Sequence, residues 1–205
     1  MQLKVCGLCD INQIKTLTNL NIDRLGFIFY DKSPRYFGNK LKAGEVFKIN
    51  SKANKTGVFV NEEQSQIEST ITKFKLNSIQ LHGNESPEFC LQLKKKVEVI
   101  KAISIKNKES FSETEKYNDA CDLFLFDTYS ESHGGTGKKF DWSWLDNYKS
   151  NIPFFLSGGI DLEDIPEINK LYHPKLIGID VNSKFEIAPG IKDINKIKEL
   201  IKRFK

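Results

Sequence analysis

The chain is poor in arginine and histidine and has no long apolar run. Only three arginines, Arg24, Arg35 and Arg203, occur among 205 residues, so nearly all positive charge is lysine and an arginine within a loop stands out. Thirty-one Lys+Arg against 27 Asp+Glu leave a net charge of +4, without the clustered basic face that a nucleic-acid binder needs. No stretch approaches the roughly 20 apolar residues that span a bilayer, and the opening MQLKVCG lacks a signal-peptide hydrophobic core. A cytoplasmic protein with no membrane and no nucleic-acid partner is expected. The three histidines, His82, His133 and His173, do not supply the His and Asp ligands that a metal-dependent sugar epimerase places at several strand ends. Cys6, Cys9, Cys90 and Cys121 are too few for a disulfide framework, and no second CxxC follows Cys6-Gly7-Leu8-Cys9, so no metal is expected. The CxxC spacing leaves two readings open for Cys9: a small packing residue of the first helix, or a thiol that oxidation joins to Cys6.

What the chain does have is core material. With 39% hydrophobic, 11% aromatic and 28% charged residues it is neither disordered nor collagen-like nor a coiled coil, and its length suits one domain over residues 1–205. Short runs rich in Val, Ile and Phe predict eight strands: Leu3 to Cys6, Leu25 to Phe29, Thr56 to Val60, Ser78 to His82, Val97 to Ile103, Asp122 to Asp127, Pro153 to Ser157 and Leu176 to Val181. Amphipathic patterns between them predict eight helices: Ile11 to Leu20, Lys40 to Ile49, Glu62 to Phe74, Pro87 to Lys95, Lys108 to Tyr117, Trp142 to Tyr148, Leu162 to Leu171 and Ile194 to Phe204. Asp10, Ser86, Asp141, Asp161 and Asp193 stand where each can accept bonds from the free amides of a first helical turn. Eight strand-then-helix units point to an α/β chain folded as a single (β/α)8 TIM barrel. The doubly wound alternative lacks its glycine fingerprint after the first strand.

Such barrels work at the carboxyl ends of their strands, and polar residues collect there. Cys6 closes the first strand, Arg35 follows the second, His82 closes the fourth and Asp127 the sixth. A thiol at that end suits a base or nucleophile, although buried cysteine is often mere packing. Asp127, at the end of Asp-Leu-Phe-Leu-Phe-Asp, suits an acid or a loop brace. Arg35 in Ser-Pro-Arg can clasp a carboxylate in a planar fork, and His82 suits ligand contact or barrel lining. Gly158 and Gly159 after the seventh strand, with Asn182 and Ser183 after the eighth, fall where barrels of this class hold a sugar phosphate, on backbone amides aided by a helix dipole. Gly134-Gly135-Thr136-Gly137 is no nucleotide loop, since Ser132 and Lys139 break that pattern, and reads either as a cover over the pocket or as a plain flexible loop. By strand alternation Lys4 faces the barrel interior and needs a carboxylate, for which Asp180 is the first candidate.

Taken in order, Lys4-Val5-Cys6-Gly7, Ser33-Pro34-Arg35, Gln80-Leu81-His82-Gly83, Phe126-Asp127-Thr128, Gly134-Gly135-Thr136-Gly137, Leu156-Ser157-Gly158-Gly159-Ile160, Asp180-Val181-Asn182-Ser183 and Pro189-Gly190-Ile191-Lys192-Asp193 resemble the phosphoribosylanthranilate isomerases of tryptophan biosynthesis. The resemblance spans nearly the whole chain. Cys9 stands where members commonly have a non-thiol residue, and Lys184 where many have Gly. The resemblance implies a cofactor-independent Amadori rearrangement of a phosphosugar by a monomer or homodimer. In it Asp127 is the acid, Cys6 the base, Arg35 and His82 touch substrate, and Gly158, Gly159, Asn182 and Ser183 hold phosphate. An indole-forming synthase and a non-catalytic sensor of phosphate ligands are the competing readings.

Overall fold

The computed structural model describes residues 1–38, 52–129 and 139–204. Eight parallel strands close into a barrel in chain order: β1 Gln2–Val5, β2 Arg24–Ile28, β3 Asn54–Phe59, β4 Ser78–Leu81, β5 Glu98–Ile105, β6 Leu123–Thr128, β7 Phe154–Leu156 and β8 Leu176–Val181. Each expected strand is present, with ends shifted by a few residues. Closure is made by β1 against β8, where Lys4 lies opposite Asp180 and Val5 opposite Val181. A short antiparallel hairpin, β9 Glu186–Ala188 with β10 Ile191–Lys192, follows the last barrel strand. It was not foreseen, although Pro189-Gly190 at its bend is a turn dipeptide.

The helices cover the outside. They are α1 Ile11–Thr18, α2 Gln64–Phe74, α3 Pro87–Lys94, the single turn α4 Ile165–Ile168, and α5 Ile194–Phe204. In α5, Ile197, Leu200 and Phe204 are buried at spacings of three and four, so one stripe packs on the barrel while lysines face out. The expected caps form: Asp10 accepts from Gln13 N, Ser86 from Phe89 N, Asp141 from Ser143 N, Asp161 from Leu162 N and Asp193 from Lys196 N.

Three of the expected helices differ. Lys108–Tyr117 and Trp142–Asn147 are 3-10 segments, and Leu162–Asp164 is a 3-10 turn leading into α4. The cause is the apolar spacing. Phe111 and Thr114 are buried in the first segment, and Trp142 and Leu145, followed by Tyr148, in the second, an interval of three that matches 3-10 rather than α geometry. Ser112 and Thr114 hydroxyls also donate to the carbonyls three residues back, competing with an α ladder. The expected helix from Lys40 to Ile49 and the glycine stretch Gly134 to Gly137 lie outside the described residues.

The barrel has two cores. The larger one lies between strands and helices; a smaller one, Ile100, Ala102, Leu123, Leu125 and Phe155, fills the barrel. At the amino-terminal end Arg24 pairs with Glu98, donates to Gln2 and Ser78, and lies 5.4 Å from the Phe155 ring centre. This plugs the floor and leaves the opposite end for chemistry. Lys101 points outward instead, its Nζ 3.0 Å from Glu85, with bonds to the carbonyls of Leu81 and Gly83. Glu85 in turn accepts from Asn61 N and Gly83 N, so this buried pair fixes the loop after β4. Breaking a buried pair from one side strands the other charge, at roughly 3–5 kcal/mol. Glu85→Ala is therefore expected to lose about 3–5 kcal/mol of unfolding free energy, read from the shift of a urea transition; a loss below about 1 kcal/mol would mean that water reaches Lys101.

Candidate active site at the carboxyl end of the barrel

Strand alternation sends Cys6, His82, Asp127, Ser157 and Asn182 to the carboxyl mouth of the barrel. There they line one cavity of about 300 Å³, together with Arg35, Gly158, Gly159 and Ser183. All eight residues singled out from the sequence thus meet at one cavity, whose volume is at the lower end of the roughly 300–1,000 Å³ of ligand pockets.

Cys6 is buried beneath this cavity, beside the Lys4–Asp180 pair, whose charged atoms are 2.9 Å apart. The lysine has the partner expected of it. Burial opposes the Lys4 charge, but Asp180 and then Cys6 outweigh it and hold the ammonium above its ordinary value. For Cys6, burial is the largest influence and pushes the thiol up; Lys4 pulls it down, Asp180 pushes it up and Lys192 pulls it down. Asp127 is about 29% exposed, and its Oδ2 lies 3.4 Å from His82 Nε2. The Gln80 side-chain amide is hydrogen-bonded to His82 Nδ1 at 2.7 Å, which holds the ring beside the carboxylate. Gln80 is thus an orienting residue that sequence reading had noted only as part of a motif.

The phosphate-type rim needs its glycines. Gly158 has φ +92°, and a Cβ there would come within 2.3 Å of Thr128 Oγ1. Gly7, at φ +74°, passes so close beneath the neighbouring loops that a Cβ would meet Asn182 Oδ1 at 2.6 Å and Arg35 Cδ at 2.8 Å. The expected help from a helix dipole after β7 is corrected by the structure. Only one 3-10 turn and the single turn α4 follow, and Asp161 and Asp164 cap that turn's amides themselves, so little dipole is left for an anion. Lys184, exposed at the cavity wall, is a cation at this rim that sequence reading gave no role.

Arg35 is where expectation and structure differ most. Its Nε and Nη2 already fork onto Glu186, at 2.7 to 3.0 Å. Glu186 also accepts from Lys192 Nζ at 2.7 Å, and Lys192 donates to Asn182 Oδ1 at 2.7 Å. Neither Glu186 nor Lys192 carries a role in the sequence reading, where Lys192 stands only within the Pro189 to Asp193 motif. Yet their side chains are 4% and 0% exposed. Cys9 is buried, and its Sγ donates to the Arg35 carbonyl at 3.2 Å. His173 lies apart, its ring 5.1 Å from that of Phe154, and His133 is outside the described residues. Among the described residues no helix is long and apolar enough to cross a membrane.

A closed eight-stranded parallel barrel whose thiol, carboxylate, imidazole and glycine turns converge at the carboxyl mouth has the layout of a (β/α)8-barrel enzyme. A family model described as N-(5'phosphoribosyl)anthranilate (PRA) isomerase matches residues 3–203, and the chain belongs to that family. It is 44% identical to N-(5'-phosphoribosyl)anthranilate isomerase of Parabacteroides distasonis, over 99% of this chain and 93% of the relative. To the enzyme of the same name from Phocaeicola vulgatus it is 37% identical, over 98% of this chain and all of the relative. Among solved structures, phosphoribosyl anthranilate isomerase from Thermotoga maritima superimposes with a TM-score of 0.86 at 31% identity, covering 100% of this chain and 98% of that one. A second isomerase structure, bound to reduced 1-(o-carboxyphenylamino)-1-deoxyribulose 5-phosphate, gives 0.83 at 29% identity, with coverage of 100% and 98%.

A thiol raised by burial has a small thiolate fraction at neutral pH that grows tenfold for each pH unit. Alkylation of Cys6 by iodoacetamide, followed by peptide mass spectrometry, is accordingly expected to accelerate about tenfold per unit between about pH 7 and pH 9. A rate already flat at neutral pH would place the thiol below its ordinary value.

Proposed function

We propose that this chain catalyses the Amadori rearrangement of N-(5-phosphoribosyl)anthranilate to 1-(2-carboxyphenylamino)-1-deoxyribulose 5-phosphate, a step of tryptophan biosynthesis, with Asp127 as acid and Cys6 as base. The observation that carries this reading is that Cys6 and Asp127, 121 positions apart in the sequence, line the same small cavity. Asp127 gives its proton to the ribose ring oxygen. The C1–O bond breaks as the anthranilate nitrogen's lone pair forms the Schiff base, and the ring oxygen becomes a hydroxyl. Cys6 as thiolate then takes the proton from C2, leaving an enolamine whose C1 is protonated as its hydroxyl becomes the ketone. One proton is given and one taken, and no electrons leave the molecule, so the chemistry calls for no redox cofactor.

The surroundings fit these roles. Lys4 and Lys192 bias the buried Cys6 toward thiolate against the burial that opposes it. His82, with Nε2 3.4 Å from Asp127, lies beside the acid and within reach of substrate. Arg35 meets the anthranilate carboxylate, and the phosphate rests on the Gly158-Gly159 turn and around Asn182 and Ser183, with Lys184 as a nearby cation. The reaction belongs to cytoplasmic biosynthesis, carried by one barrel domain over residues 1–205. The solved relatives include both dimeric isomerase and engineered monomers of it, and a monomer or homodimer is the corresponding assembly here.

The direct test is to follow loss of freshly made phosphoribosylanthranilate with the purified protein; no loss above the spontaneous rate would overturn the assignment. Asp127→Asn and Cys6→Ala are each expected to lower kcat by about 10²- to 10⁴-fold, with far smaller changes in KM, because proton transfer is felt mainly in the transition state. Near-normal turnover of either variant removes that residue from the chemistry. Arg35→Lys keeps charge but loses the fork, and steady-state kinetics should show mainly a raised KM.

A further inference from the structure

The hairpin β9–β10 brings to the cavity an acid and a lysine that the proton-transfer steps do not use. Glu186 lies between two cations, Arg35 on one side and Lys192 on the other, and Lys192 continues to the Asn182 side chain. Asn182 stands at the proposed phosphate end and Arg35 at the proposed carboxylate end. The carboxylate therefore links Arg35 to Asn182 by way of Lys192 through hydrogen bonds of 2.7 to 3.0 Å. Glu186 also accepts from Gly190 N at 3.0 Å, at the bend of its own hairpin.

We infer that Glu186 is a positioning residue for substrate recognition: its carboxylate sets the plane of the Arg35 guanidinium and, through Lys192, the orientation of Asn182, so that both ends of one phosphosugar carboxylate substrate are held in register. This rests on the isomerase reading given above. The chemistry favours it over simple packing. A guanidinium forked along its Nε–Nη2 edge is fixed in plane, which fixes where its remaining N–H groups point. A lysine in the same place would be a rotating point charge. The ion group is enclosed, so its members cannot relax independently into water. Burial works against the Glu186 charge, but the Arg35 bond and Lys192 hold its carboxyl below the usual range, so the brace stays ionised at neutral pH. Arg35 and Asn182 both approach Gly7 so closely that a Cβ there would meet each of them, so the glycine leaves the space in which the two side chains lie.

The test is a kinetic cycle on purified protein: parent, Arg35→Lys, Glu186→Gln and the double variant, each assayed with phosphoribosylanthranilate. Glutamine keeps the shape but can accept only through one oxygen, so the fork is lost; KM should rise about tenfold, while kcat changes less than about threefold. Because Glu186 acts through Arg35, adding Glu186→Gln to Arg35→Lys should raise KM by less than about threefold further, well short of the product of the two single effects. Inorganic phosphate, used as a competitive inhibitor, should bind Glu186→Gln more weakly by about threefold or more.

Fully multiplicative effects in the cycle, or an unchanged KM in Glu186→Gln, would overturn the inference. An unchanged phosphate inhibition constant would overturn the link to Asn182. Since Glu186→Gln leaves two cations facing a neutral amide, Glu186→Gln/Lys192→Met is measured beside it, with the same expected rise in KM. If neither folds by circular dichroism while Arg35→Lys does, Glu186 is a scaffold residue and the inference fails. The parent's own turnover separates this from the isomerase reading: an inactive parent sinks the reading, whereas an active parent with an indifferent Glu186 sinks only the inference.

Discussion

A lysine that faces the inside of a closed barrel has no water to turn to, and this constraint organises the rest of the molecule. Lys4 is fully buried, and Asp180, its counter-ion at 2.9 Å, comes from the strand opposite it in register. That strand is β8, so the contact that neutralises the charge is also the contact that closes the barrel. The pair further settles what surrounds Cys6, two residues along the same strand and on the same face. A buried thiol beside a lone ammonium would ionise readily; beside an ammonium already shared with a carboxylate, burial prevails and the thiol is raised.

Charge inside this barrel is held in pairs. Arg24 and Glu98 close the amino-terminal floor, Ile100, Ala102, Leu123, Leu125 and Phe155 fill the interior, and Lys4, Asp180 and Lys192 act on the thiol at the opposite end. Lys101 and Glu85 serve a different layer. By tying the carbonyls of Leu81 and Gly83 to the back of the barrel, they fix the backbone on either side of His82 without entering the cavity.

Much of this is legible in the sequence, and what is not has a physical reason. The eight strands stand out because a parallel barrel buries both faces of each strand and so demands short continuous apolar runs. Cys6, His82 and Asp127 are legible as candidate site residues because they end such runs at the carboxyl side, where barrels of this kind carry their chemistry. The 3-10 segments are harder to foresee: Phe111 with Thr114, and Trp142 with Leu145, differ from an α stripe by a fraction of a residue per turn. Arg35 is recognisable as unusual, but its partner is not, since Glu186 lies 151 positions away in a segment that reads as a charged turn. A buried acid braced by two cations looks, in one dimension, like any solvated Glu and Lys; only the fold brings them together. Lys4 is the instructive contrast, because strand alternation placed it inside and charge then called for a carboxylate, with Asp180 the first candidate.

The closure of β1 on β8 has a consequence for how the protein is made. The proposed base is Cys6 and its surroundings come from Asp180, Asn182 and Lys192, so the two halves of the candidate site are far apart in the sequence. Until the last strand has been released there is a thiol without its cradle, and the exposed edge of β1 has no strand to pair with. Contacts so distant in sequence form late, after the loop-closure entropy of nearly the whole chain has been met. A chain with seven of its eight strands in place still lacks Asp180, Asn182 and Lys192 beside the thiol, and the candidate site is complete only when β8 meets β1.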